Sequence, residues 1–362
     1  MSGTKVSGTF GRHLWPTRSQ GEPVMKLTLH RLSLPLAHPF TISRGTVTDQ
    51  SSLVVQLEGL GESGWGEVTA NDYYGHTLDS IESSLARVEP YLDRWAAWGA
   101  DRVWEAAAEV IGEDPFALSA LDMAWHDWSS RRQGMPLYRC WGLDWETVPC
   151  SSFTIGIDTP EKMVAKLRER PDWPIYKIKL GTSRDLQIMR ELRRHTDATF
   201  RVDANCGWTA EQAIANSAEL AELGVEFIEQ PLPADAPDDD HRRVFHGSRL
   251  PIIADENCQT SADVTRCHGR FHGVNVKLCK CGGLTPALRM LRQARELGMR
   301  TMVGCMIESS IGISGAAHLL PLLDYADLDG AVLLREDPAI GVTIDRGSVR
   351  LADGPGTGGR LR

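Results

Sequence analysis

Five charged residues stand out by type and spacing: Lys179, Asp203, Glu229, Asp255 and Lys277. Each closes a short β-rich run, and they recur at intervals of about 22 to 26 residues, the length of one βα unit. Taken singly, a charge at a strand end is usually a solvated loop group. Five in register point to one site instead. Three carboxylates in one cavity raise one another's pKa unless a cation sits among them. Oxygen-only ligands on rigid strand ends favour a hard ion, Mg²⁺ before Zn²⁺. The lysines complete the chemistry, because a proton beside a carboxylate is a very weak acid and its removal needs the developing dianion stabilised by metal and cations. Lysine acts as a base only when its pKa falls, which Mg²⁺, a second ammonium and desolvation all promote. With one amine on each face of a carbon, a proton leaves one side and returns on the other. The stereocentre inverts.

The elements that must hold these groups follow from the pattern. From Cys150 onward β-rich runs alternate with amphipathic helical stretches, and strands are expected at 152–157, 175–180, 199–203, 226–229, 251–254, 273–277, 301–304 and 325–329. Eight such units predict a closed parallel (β/α) barrel, a modified TIM barrel of the α/β class, with all strand C-termini at one rim. In Tyr176-Lys177-Ile178-Lys179-Leu180 both lysines share a strand face, so if the apolar side packs on helices both ammonium groups point inward. By the same alternation Asp203 faces inward, with Asn205 beyond it. Helix starts are expected at Thr159, Ser183 and Thr209.

Residues 1–24 are polar and read as a flexible tail. Strand-like alternation begins at Met25, a second strand at Ser52, and helical patterns cover 78–96, 102–109 and 115–132. Residues 25–148 therefore form an α+β capping domain, completed by about 341–362, on a catalytic barrel of residues 149–340.

Composition excludes other classes. The 362 residues carry a formal net charge of −9, which leaves no broad basic surface for nucleic acid or an anionic membrane. No apolar run approaches the roughly 20 residues of a membrane helix, no secretory signal opens the chain, and the eight cysteines form no C-x-x-C pair. The expectation is a cytoplasmic protein with reduced thiols, a small-molecule substrate and a homo-oligomeric assembly.

The stretches Lys177-Ile-Lys179, Asp203-Ala-Asn-Cys-Gly-Trp208, Glu229-Gln-Pro231, Ala254-Asp-Glu256 and Asn275-Val-Lys-Leu-Cys-Lys-Cys-Gly-Gly283 resemble the enolase superfamily, in its muconate-cycloisomerase subgroup. The resemblance spans about residues 25 to 345. It implies an enolase-like barrel under an N-terminal cap, Mg²⁺ on Asp203, Glu229 and Asp255, Lys179 and Lys277 as the acid/base pair, and Lys177 as a fixed cation against the substrate carboxylate. The seventh strand reads Val303-Gly-Cys-Met-Ile-Glu308 with no histidine, which argues against the mandelate-racemase and sugar-acid dehydratase groups and their His/Asp dyad. Cycloisomerases, o-succinylbenzoate synthases, N-acylamino acid racemases and dipeptide epimerases remain.

Asp327-Leu328-Asp329 decides among these. An isolated Asp-x-Asp is more often a solvated turn, but two carboxylates on one face of a barrel strand can grip an ammonium group. Dipeptide epimerases of the family carry such a pair for the dipeptide's amino group, so the resemblance implies epimerisation of a dipeptide's C-terminal residue. A cycloisomerase-like or synthase-like reaction, an N-acylamino acid racemase and a non-catalytic scaffold are the competing readings. Arg44, in the cap loop 41–47, either meets an acidic substrate side chain, as an arginine of the Ala-Glu epimerases does, or is solvated. Glu308 is a further substrate-binding candidate, Glu256 either supports the site or is a loop charge, and His268 and His272 read as surface residues at the opposite rim.

Overall fold

The computed structural model describes residues 25–362; residues 1–24, the expected tail, lie outside the described residues. Strands β1 (Met25–Ile42), β2 (Gly45–Gly59) and β3 (Glu62–Thr69) form an antiparallel sheet in that order. Alternate residues of β2 (Leu53, Val55 and Leu57) enter one core, as period-2 geometry requires. The β2–β3 turn is Leu60-Gly61, with φ of 53° and 86°, the two positive values that match the strand twist.

The helix Pro115–Arg132 lies on this sheet and is buried on nearly every side. It comes close because β3 presents Gly64 and Gly66, where a Cβ would stand 2.2 Å from Ala124 O and 2.1 Å from Ala120 O. Its other side faces the barrel, where Asp122 accepts hydrogen bonds from the Thr285 N–H and hydroxyl, both at 2.8 Å. Asp127 takes N–H groups from Trp65 (2.9 Å) in the cap and Thr357 (2.6 Å) near the C-terminus. The expected 78–96 helix is interrupted: Leu78–Ala86 is followed by single turns at Glu89–Tyr91 and Leu92–Trp95. Pro90 has no N–H with which to continue the ladder.

The barrel strands are β4 (Phe153–Ile155), β5 (Ile175–Lys179), β6 (Thr199–Asp203), β7 (Val225–Glu229), β8 (Ile252–Ala254), β9 (Gly273–Val276), β10 (Arg300–Gly304) and β11 (Tyr325–Asp327). They make one sheet in sequence order, and a parallel bridge between Ser151 and Ala326 joins the first strand to the last. Outward residues such as Ile178, Val202, Ile228 and Val276 pack under the helices. Inward residues one or two positions before the strand ends fill the far half of the cylinder: Phe227, Ile253, Met302 and Tyr325 form their own cluster, and the Arg201 guanidinium lies 5.3 Å and 5.0 Å from the Phe227 and Tyr325 ring centres.

Thr209 caps its helix reciprocally with Gln212, whereas Thr159 precedes Pro160–Glu169 without a side-chain bond. Ser183 is not a cap. Asp185 captures the Gly181 and Thr182 N–H groups instead, each at 2.9 Å. The eight cysteines are all free thiols, and no helix of the described residues is long and apolar enough to cross a membrane.

Candidate active site

The parallel ladder brings Lys179 beside Asp203 and Asp203 beside Glu229. Asp255 follows β8 and Lys277 follows β9. In an eight-stranded cylinder β5 and β9 stand four strands apart, so Lys179 and Lys277 approach from opposite walls with the carboxylate-bearing strands between them.

Each carboxylate has one oxygen held by a fixed donor. The Asn205 N–H is 2.9 Å from Asp203 Oδ1, Asn275 Nδ2 is 2.8 Å from Glu229 Oε1, and Lys280 Nζ is 2.5 Å from Asp255 Oδ1. The other oxygens meet the lysines. Lys179 Nζ lies 2.7 Å from Asp203 Oδ2, Lys277 Nζ 2.9 Å from Asp255 Oδ2, and Lys177 Nζ 2.7 Å from both Glu229 Oε2 and Asp327 Oδ2. Backbone strain accompanies this arrangement: Asn205, Cys206 and Gln230, just past β6 and β7, have φ of 43°, 65° and 36°. The bend at Asn205 turns its N–H back onto Asp203, and the Gln230 side chain accepts the Asp255 N–H at 2.9 Å.

Burial acts against ionisation of all three acids, and neighbouring charge separates them. Lys277 and Lys280 hold Asp255 well below the carboxylate range despite burial, and Lys179 and Lys177 lower Asp203. Glu229 moves up to about 7, because burial is reinforced by the Asp203 charge. Lys177 and Lys277 stay well above the usual lysine value: burial disfavours their charge, but Asp327 for the first and Asp255 for the second outweigh it.

Asp327 and Asp329 reach the same cavity, although only Asp327 belongs to β11; Asp329 precedes a 3₁₀ turn. Their supports come from β4 and its entry, which held no charge to draw attention. Ser152 Oγ donates to Asp327 Oδ1 at 2.8 Å, and the Thr154 N–H donates to Asp329 Oδ2 at 2.6 Å. Lys177 keeps Asp327 at about 2 against burial, whereas burial and the Asp327 charge push Asp329 up to about 7. The period-2 spacing of Ser152 and Thr154 was the available signal for this second layer, and the Lys277–Lys280 spacing of one helical turn was the signal for Lys280.

The cavity measures about 570 Å³ and is roofed by cap residues from 40–51 and 69–74. Arg44 lies in its wall with its side chain 32% exposed, so it is partly solvated but not free: Nη2 is 2.8 Å from Glu256 Oε1, and the guanidinium sits 4.3 Å from the Tyr73 ring centre. Glu308 is not brought to the cavity. It lies beyond the strand, where alternation no longer applies, next to Ser309, which caps the helix Ser310–Ala317. Burial and the Glu67 charge push it up to about 8. His272 is half-buried rather than superficial: it stacks on Phe245, and Nδ1 accepts the Ile252 N–H at 3.0 Å. Asp238, Asp239 and Asp240 form a helix first turn paired with Arg270, Arg242 and Arg243.

The donor set fits a divalent cation. Asp203, Glu229 and Asp255 offer buried oxygens within 4.8 Å of one another, and Glu229 Oε2, though close to Lys177, makes no directed hydrogen bond. Three carboxylates without nitrogen or sulfur suit Mg²⁺.

Comparison with known proteins agrees. Residues 25–142 match the family model described as mandelate racemase / muconate lactonizing enzyme, N-terminal domain, and residues 161–362 match the one described as enolase C-terminal domain-like. The chain is 51% identical over 334 residues to an L-Ala-D/L-amino acid epimerase of Flavobacterium johnsoniae, covering 92% of this chain and 99% of the relative. It is 48% identical over 326 residues to a protein of the same name from a Maribacter species, covering 90% and 96%. The crystal structure of a dipeptide epimerase from Cytophaga hutchinsonii, complexed with Mg and D-Ala-L-Val, matches with a TM-score of 0.84 at 26% identity, covering 94% of this chain and 96% of that one. With both family domains in place and such relatives along almost its whole length, the chain belongs to the enolase superfamily, among its dipeptide epimerases.

Proposed function

We propose that the protein is a Mg²⁺-dependent dipeptide epimerase that inverts the α-carbon of the C-terminal residue by proton transfer between Lys179 and Lys277. The observation that carries this reading is the placement of those amines on opposite barrel walls, β5 and β9, with three buried carboxylates on the strands between. When bound, the cation supplies positive charge beside the substrate carboxylate and so stabilises the second negative charge that develops as the α-proton leaves. With Asp203 and Asp255 taken up by the cation, their hold on the ammonium groups would be relieved, and one lysine would act as the free amine that removes that proton. The other, as the ammonium, delivers one to the opposite face, and the pair ends with its protonation states exchanged. Lys177, completely buried among Asp203, Glu229 and Asp327, keeps its charge throughout and would favour the anionic end of the substrate by its field from behind those carboxylates.

Asp327 and Asp329 favour an ammonium-bearing substrate over an N-acyl amino acid or a lactone. Ser152, Thr154 and Lys177 fix both carboxylates before a ligand arrives, so little ordering remains to be done on binding. The test is incubation with L-Ala-L-X dipeptides in D₂O with Mg²⁺. The α-proton of the C-terminal residue should exchange and the second diastereomer should accumulate, both stopping when the metal is chelated. Absence of exchange across a panel of neutral, acidic and basic X would end this reading.

A further inference from the structure

The tip of the β1–β2 hairpin is docked onto the barrel. The Ile157 N–H donates to Thr41 O at 2.8 Å, Ser43 Oγ donates to Asn205 O at 3.2 Å, and Arg44 Nη2 stands 2.8 Å from Glu256 Oε1. Glu256 is the unusual member. Its side chain is only 1% exposed, and neither carboxylate oxygen makes a directed hydrogen bond. Arg44 is thus the cation that compensates a buried charge, and an uncompensated buried carboxylate is costly. Tyr73, under the guanidinium, limits where Arg44 can move.

Arg44 and Tyr73 also stand in the wall between the main cavity and an outer pocket of about 500 Å³ that reaches Cys206 and Asp235. A substrate side chain that extends to this wall meets one arginine already matched by Glu256, with the Asp235 carboxylate in the outer pocket beyond it. An anionic side chain there either adds a like charge or draws Arg44 away and strands Glu256. An uncharged side chain of the same shape does neither.

We infer that Arg44 is the counter-ion of Glu256 rather than a receptor for an acidic substrate, and that this pair selects dipeptides whose C-terminal side chain is uncharged. This rests on the epimerase reading and adds the substrate class to it. The decisive pair of substrates is L-Ala-L-Gln and L-Ala-L-Glu, which match in shape and differ in charge. Wild-type kcat/KM for α-proton exchange should favour Gln by about tenfold or more. In E256Q, which releases Arg44, the ratio should move toward Glu by about tenfold, through a lower KM for the Glu dipeptide. Calorimetric Mg²⁺ binding should persist, which shows that the neighbouring Asp255 is undisturbed. A wild-type preference for Glu, or an unchanged ratio in E256Q, overturns the inference, and the wild-type ratio decides alone if E256Q does not fold. Exchange on both dipeptides in the wrong ratio sinks only this inference, whereas exchange on neither sinks the epimerase reading with it.

Discussion

At the barrel rim the charged groups stand at or just past strand ends, and each key carboxylate is held by a backbone or buried side-chain donor. At the roof, Arg44 and Tyr73 ride on a hairpin tip and a short loop, held by one ion pair and one stacking contact. The rim is rigid because the parallel ladder fixes neighbouring Cα atoms in register, and reaction geometry tolerates little displacement. The roof depends on a few separate contacts, of which the Arg44–Glu256 pair joins residues more than 200 positions apart. Proton transfer, which needs fixed geometry, belongs on the first kind of support, and discrimination between substrates belongs on the second.

The largest way to break this contrast is at the rim. D255N removes a cation ligand and the partner of Lys277 and Lys280, leaving two buried ammonium groups without their counter-charge. We expect kcat/KM to fall by about a thousandfold or more, with calorimetric Mg²⁺ binding lost, while substitutions at Arg44 act chiefly on KM. A D255N variant that binds Mg²⁺ as the wild type does would remove Asp255 from the ligand set.

Below the roof, the cap sheet approaches its helix because Gly64 and Gly66 have no side chains. G66A should destabilise the protein by about 3 kcal/mol in urea unfolding, with loss of substrate selectivity before loss of metal binding as the cap loops move away. Equal losses of both would mean that the two regions do not separate.

The seam between them holds Glu308 beside Glu67. Glu308 is raised to about 8 by burial and by the Glu67 charge, so the folded protein retains a proton that the unfolded chain has already released. Its contribution to stability is therefore present at low pH and is lost as the pH rises from about 4.5 to about 8. E308Q keeps the neutral form throughout. Relative to the wild type it should gain about 3.5 kcal/mol between about pH 5 and about pH 8, measured by denaturant unfolding at each pH. No change in the difference with pH would show that Glu308 titrates normally.

The same contrast explains what was legible in the sequence. Lys177, Lys179, Asp203, Glu229, Asp255 and Lys277 could be read because the βα repeat and the two-residue strand period convert spacing into position. The eight expected strands lie within about two residues of those observed. Glu308 stands past Gly304, where β10 ends and the strand period no longer converts spacing into position. Ser152 and Thr154 were overlooked as neutral residues whose partners lie about 175 positions away. The Arg44–Glu256 pair joins a cap hairpin to a barrel loop, a contact that no local pattern encodes. The break at Pro90 was visible in the residue itself.

The central claim is that two lysines act on opposite faces of one carbon, and α-proton exchange in the single variants K179A and K277A tests it most directly. Each variant should lose epimerisation while still washing deuterium into one diastereomer of the dipeptide, and the two variants should retain opposite diastereomers. Exchange into both diastereomers by either variant, or into the same one by both, would contradict a mechanism with one base on each face.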